Sequence, residues 1–155
     1  VRHCYGSKEL WLQLHVEHES SGATLLALCK VVERGLLALE HGSEPVSSQE
    51  LLLQHADACR RAATVAPTQE EAKHCLDTMR AALRRAADKP AKSTPEGKSL
   101  VCQVLLHWMR LEAYACRNEE GTLDVGNRLM DLWGSYYNVW SAFIAAVRQC
   151  SPKKH

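Results

Sequence analysis

One short pattern occurs twice along this chain and opens a third time, and a repeat of that kind leaves few folds available. Leu10-Trp11-Leu12-Gln13-Leu14, with acids at Glu17 and Glu19, is followed by Val31-Val32-Glu33-Arg34-Gly35-Leu36. His107-Trp108-Met109-Arg110-Leu111-Glu112-Ala113 is followed by Asn127-Arg128-Leu129-Met130, and Val139-Trp140-Ser141-Ala142-Phe143 begins a third copy. Each copy sets a Trp on one helix, an apolar residue three positions on, and a second apolar helix after it. Residues three apart on a helix share a face, so the Trp and its follower fill one groove. No single helix pair can bury both of its faces, so neighbouring pairs must stack. The expected architecture is all-α: an α-α superhelix, or solenoid, of antiparallel helix pairs. The repeats would span about 7–41, 48–88 and 95–134, with an incomplete one from 138, as a single domain over 1–155.

Strand signals are nearly absent, and the aliphatic residues fall at helical spacing. The pattern predicts a first helix from about Lys8 to Glu19, with Ser7 as N-cap and Ser20-Ser21-Gly22 as its end. A second, from about Leu25 to Glu40, has Thr24 at its start and Gly42 as its left-handed stop. After a linker at His41 to Ser48, Ser47 and Glu50 fit a capping box for a third helix, about Ser48 to Val65. Thr68 and Glu71 do the same for a fourth, about Gln69 to Asp88. The stretch DKPAKSTPEGK (Asp88 to Lys98) is the most linker-like of the chain, and Thr94-Pro95 reads as N-cap plus N1 for a fifth helix running to about Arg117. Thr122 is expected to cap a sixth. Asn138 is expected to cap a seventh, which turns Trp140, Phe143, Ile144 and Val147 inward and stops at Ser151-Pro152.

Composition narrows the functional classes. The chain has 155 residues, 46% of them hydrophobic, which is enough to close a core. No run approaches the ~18 apolar residues of a membrane-spanning helix. Nineteen basic and eighteen acidic side chains leave a net charge of +1, without the basic excess of a dedicated nucleic-acid binder. The seven cysteines form no C-x-x-C pair and sit among apolar helical neighbours. Their odd number argues against a closed disulfide framework, and they read as reduced core thiols. Val1 to Gly6 is no signal-peptide core. The chain opens on Val rather than Met, and its last helix stops soon after its Trp, so it reads as an excised piece of a longer protein.

Trp11, Leu14 and Glu19 on a first helix, with Glu33, Arg34 and Leu36 on a second, carry a resemblance to the HAT (half-a-TPR) repeat family of RNA-processing proteins. Gly35 stands where that family usually has Ala. The middle pair departs further: it lacks the Trp, placing Leu52 or Leu53 there, and keeps Met79-Arg80-Ala81-Ala82-Leu83. The resemblance implies a nuclear, non-catalytic scaffold with no cofactor. In such proteins the HAT portion self-associates and docks protein partners, including spliceosomal U4/U6 particle proteins and ubiquitin-specific proteases. RNA is gripped mainly by downstream RNA-recognition motifs, and no aromatic-rich run of that kind occurs here.

Candidate site residues follow. Repeat packing is assigned to Trp11, Leu14, Val32, Leu36, Met79, Leu83, Trp108, Leu111, Leu129, Trp133, Trp140 and Phe143. Glu33 and Arg34 can tie adjacent helices. Partner contact is assigned to Tyr136 and Tyr137, at a helix boundary after Gly134, and to Arg80, Arg84 and Arg85. With Arg60, Arg61, Lys89 and Lys92 these arginines give the middle of the chain a local positive character, suited to an acidic protein surface or to RNA phosphate. His15, Glu17, His18 and Glu19 read as a solvated polar face, because no third metal ligand is placed beside the two His and no H-E-x-x-H occurs. No G-x-S-x-G, phosphate loop or Cys/His register suggests catalysis.

Overall fold

A computed structural model describes residues 7–40, 45–90 and 94–151. Among these residues the fold is all-helical, with no strand: α1 (Lys8–Ser20), α2 (Leu25–Glu40), α3 (Pro45–Val65), α4 (Gln69–Asp88), α5 (Pro95–Arg110), α6 (Glu119–Trp133) and α7 (Tyr137–Cys150). The chain divides into two compact units, residues 1–90 and 91–155. The boundary falls inside the stretch read from the sequence as a linker.

In the first unit, α1 packs on α2 and α3, α2 on α3, and α3 on α4. Short turns enforce this order. Gly22, at φ +79°, closes α1 in the left-handed conformation, and the Ala23 N–H reaches back to the His18 carbonyl at 3.0 Å. Thr24 and Thr68 start α2 and α4, their hydroxyl oxygens accepting from the Ala27 and Glu71 N–H groups at 3.2 and 3.1 Å. The core is built on Trp11, Val32, Leu36, Leu51, Leu52, Met79 and Leu83, all buried. Gly35 sits under it. A Cβ there would lie 2.7 Å from Leu51 Cδ2 and 3.2 Å from the Trp11 ring. The indole therefore rests on bare α2 backbone, and the missing side chain at Gly35 is what leaves room for it.

In the second unit, α5, α6 and α7 pack against one another around Val104, Leu105, Trp108, Met109, Leu129 and Ala146. Thr94 and Pro95 begin α5 as expected, with Thr94 Oγ1 accepting from the Gly97 N–H at 3.0 Å. Its far end differs. From Leu111 to Ala115 the helix widens to a π-helical turn, and the Cys116 N–H bonds the Leu111 carbonyl at 3.0 Å. This widening turns Glu112 inward, where it is 1% exposed. Arg117, at φ +50°, then ends the run.

Three expected caps are corrected. Asn118, not Thr122, caps α6: its Oδ1 accepts from the Gly121 N–H at 3.3 Å, while Thr122 lies buried in the helix and donates to the Asn118 carbonyl at 2.7 Å. Tyr136 occupies the N-cap position of α7, so Asn138 is inside that helix. Helix α3 begins at Pro45, before Ser47. Gly42 and Lys92 lie outside the described residues.

Candidate functional site

Most of the residues assigned to repeat packing are core. Trp11, Val32, Leu36, Met79, Leu83, Trp108, Leu111 and Leu129 are buried, and Leu14, Trp133 and Phe143 are half-buried. Phe143 lies over Gly126 of α6 so closely that a Cβ at 126 would overlap the edge of its ring. Trp140 differs from its expected inward placement: it is 47% exposed, held by its indole N–H donating to the Gly134 carbonyl at 2.6 Å.

That displacement creates a surface. Tyr137, Trp140 and Ile144 recur at i, i+3 and i+7, so they share one face of α7. They are 82%, 47% and 43% exposed, and Tyr136 and Leu132 are exposed as well. The Tyr136 ring packs on Trp133 at 5.3 Å between centroids. The buried Trp133 indole N–H has no acceptor. Exposed aromatics fixed by neighbouring side chains are the composition of a protein-binding patch.

The arginines of α4 are not equivalent. Arg85 pairs with Glu33 of α2, and Arg80 with Asp77 at 3.6 Å. Arg61 forms a bidentate pair with Glu19, at 2.8 and 3.0 Å, tying α3 to α1. Arg84 is exposed. Much of the positive character read from the sequence is therefore spent within the first unit. The expected tie from Glu33 is present, to α4.

A group that sequence reasoning missed lies inside the first unit. His15, expected on a solvated face, is 1% exposed and meets His55, 3% exposed, at 3.1 Å between Nε2 and Nδ1. The rings are T-shaped, 5.3 Å apart. Gln54 Nε2 donates to the Leu12 carbonyl at 3.0 Å and to His15 Nδ1 at 2.9 Å. Donor order then fixes both tautomers. His15 accepts at Nδ1, so it carries its proton on Nε2 and donates to His55 Nδ1. His55 in turn carries its proton on Nε2, which points at Cys29 Sγ and Cys59 Sγ, each at 3.7 Å. Burial holds both imidazoles neutral. It draws His55 down to about 4, helped by His15, and lowers His15 as well. Burial also pushes the Cys59 thiol up to about 12 and raises Cys29.

Cys29 and His55 line a cleft of about 150 Å³ between α2, α3 and α4, with Val32, Leu52 and Ala82 as apolar wall and the Glu33–Arg85 pair at the rim. A thiolate–imidazolium pair is what makes such residues nucleophilic. Here both shifts run the other way, toward thiol and neutral ring. Among the described residues no three His, Cys, Asp or Glu side chains gather to hold a metal ion, and no helix is long and apolar enough to cross a membrane. The only hint of the buried pair in the sequence is His15 four residues after Trp11, on the same face of α1.

Comparison with known protein families, with curated proteins and with solved structures finds no match to this chain.

Proposed function

We propose that this chain is a non-catalytic HAT-type scaffold that docks protein partners in RNA processing. The observation that carries the reading is the exposed aromatic face Tyr137–Trp140–Ile144 on α7, in an all-helical chain whose Trp-led pattern repeats. Support for the superhelical repeat arrangement is the succession of helix pairs joined by short turns. Within the HAT family, three segments are similar to the central repeats of the U4/U6 recycling factor, the squamous-cell-carcinoma antigen recognised by T cells. They are Glu9 to Leu14, Glu70 to Leu83, and Trp108 to Asn118 with the helix up to Trp133. On that resemblance the chain is nuclear, acts in pre-mRNA splicing, and contacts U4/U6 particle proteins or ubiquitin-specific proteases, with self-association as a further role. A scaffold of messenger-RNA 3′-end cleavage or pre-ribosomal-RNA processing would share the same fold.

Direct RNA binding through α4 is the second reading. Exposed Arg84 favours it, and the pairing of Arg80 and Arg85 weighs against it.

The test is recovery of partners from nuclear extract after nuclease treatment, with the native chain and a Tyr137→Ser/Ile144→Ser variant as baits. Splicing-particle proteins or a ubiquitin-specific protease retained by the first and lost by the second is the expected result. RNA retained by both in a parallel recovery without nuclease, with a steep salt dependence removed in Arg80→Ala/Arg84→Ala/Arg85→Ala, would replace the docking reading with RNA binding.

A further inference from the structure

The His15–His55 chain joins three helices through atoms that have no room for another proton. Gln54 cannot turn its amide to help, because its Nε2 also serves the Leu12 carbonyl and the reversed amide would set oxygen against oxygen. A proton added at His15 Nδ1 would face the Gln54 N–H donor. One added at His55 Nδ1 would face the His15 N–H donor. Either event replaces a hydrogen bond by two opposed donors inside the core, where an unpaired charge is costly.

We propose that the buried His15–His55 chain is an acid-sensitive latch that holds α1 against α3 and lets it open when a proton enters. The charged and titratable groups around it do not offset that proton well. Around His15 stand His18 and Glu19 on α1 and Arg61 on α3, and Glu19 is already engaged by Arg61. Around His55 stand Cys29 and Glu33 on α2, Cys59 on α3 and Arg85 on α4, and Glu33 is engaged by Arg85. No carboxylate is in contact with either ring among their hydrogen bonds.

The sign follows from the lowered His values. Closed α1 keeps both rings neutral, and open α1 lets them take protons near the ordinary value of about 6.5. The latch is therefore fully effective above that pH and weakens as pH falls toward about 4. Over this window the opening constant rises about tenfold per pH unit for each proton taken up. The other ties of α1 are Lys8–Glu50 at 3.3 Å and Glu19–Arg61 at 2.8 Å. A variant without the two histidines separates their part in the opening from that of these ion pairs.

Trp11 reports it, being the one Trp within residues 1–90. The full chain is labelled with 5-fluorotryptophan, the Trp11 signal is assigned with Trp11→Phe, and fluorine spectra are recorded from pH 7 to 4.5. The expected result is solvent exposure of Trp11 growing below pH 6.5 while Trp108, in the second unit, does not change. Trp11 moving together with Trp108, or staying shielded to pH 4.5, would overturn the latch. In His15→Gln/His55→Gln the Trp11 response should vanish; a response kept as in the native chain would assign it to the carboxylates and overturn the latch. Where that variant does not fold, proton titration of the imidazole rings in the native chain decides. Both rings staying neutral while Trp11 is shielded supports the latch, and either ring protonating near 6.5 with Trp11 shielded overturns it.

Discussion

At the scale of single residues, two glycines set the tightest constraints. Gly35 lets the Trp11 indole and Leu51 rest on α2, and Gly126 does the same for Phe143 on α6. Alanine is the better helix former by about 1 kcal/mol, so propensity alone predicts stabilisation at both places. Overpacking of a filled core costs about 1–3 kcal/mol, occasionally more, and it wins here. Gly35→Ala is expected to lower stability by about 1 kcal/mol net. Gly126→Ala is expected to lower it further, because the Phe143 ring must leave its seat. Urea denaturation followed by tryptophan fluorescence measures both. Gly35 was visible in the sequence as a departure from Ala, but its reason was not, since Leu51 comes from another helix. His15 was misplaced for the same cause. Its neighbours along α1 are acids and half-exposed residues, and the partner that explains its burial, His55, is forty positions away.

At the scale of helices, the junction of α5 and α6 shows how one buried carboxylate organises two ends. Glu112 accepts from the Trp108 indole N–H at 3.3 Å and from Asn118 Nδ2 at 2.9 Å. Asn118 in turn caps α6 at Gly121, where a Cβ would come within 2.6 Å of Glu112 Oε2. The negative group thus sits at the N-terminus of α6, the favourable end of the helix dipole. Asn118→Ala removes both a cap and a donor to a buried acid, and should cost about 1–3 kcal/mol. Asn118→Asp keeps a cap acceptor but sets a second carboxylate against Glu112. It is expected to lower the thermal midpoint at pH 7 at least as much. An Asp variant as stable as the native chain would show that Glu112 does not depend on the amide. The sequence located this junction within a few residues. It placed the cap at Thr122, whereas Gly121 is already inside the helix, where Glu112 leaves no space for a side chain.

At the scale of the whole molecule, helical content could be read from spacing, and so could the break between Asp88 and Lys98. The presence of a separate core on each side of that break could not, because it depends on which apolar faces meet. Each unit encloses its own buried set, Leu51, Met79 and Leu83 in one and Leu105, Met109 and Leu129 in the other. Calorimetry is therefore expected to resolve two unfolding events, Gly35→Ala moving only one and Gly126→Ala only the other. A single event shifted by both substitutions would mean that the cores are cooperative.

The fixed direction of the Gln54–His15–His55 chain has a chemical consequence beyond proton uptake. Each of the two rings offers its one lone pair to a donor within the chain, so neither has a bare nitrogen for an electrophile. His18 uses Nδ1 on the Leu14 carbonyl at 2.9 Å, so its Nε2 lies outside that bond, and His74 is exposed. Diethyl pyrocarbonate at pH 7 should therefore acylate His18 and His74 and spare His15 and His55, a pattern read by peptide mass spectrometry. The imidazoles buried deepest would be chemically silent because both ring nitrogens are already occupied, and not only because they are hidden from solvent.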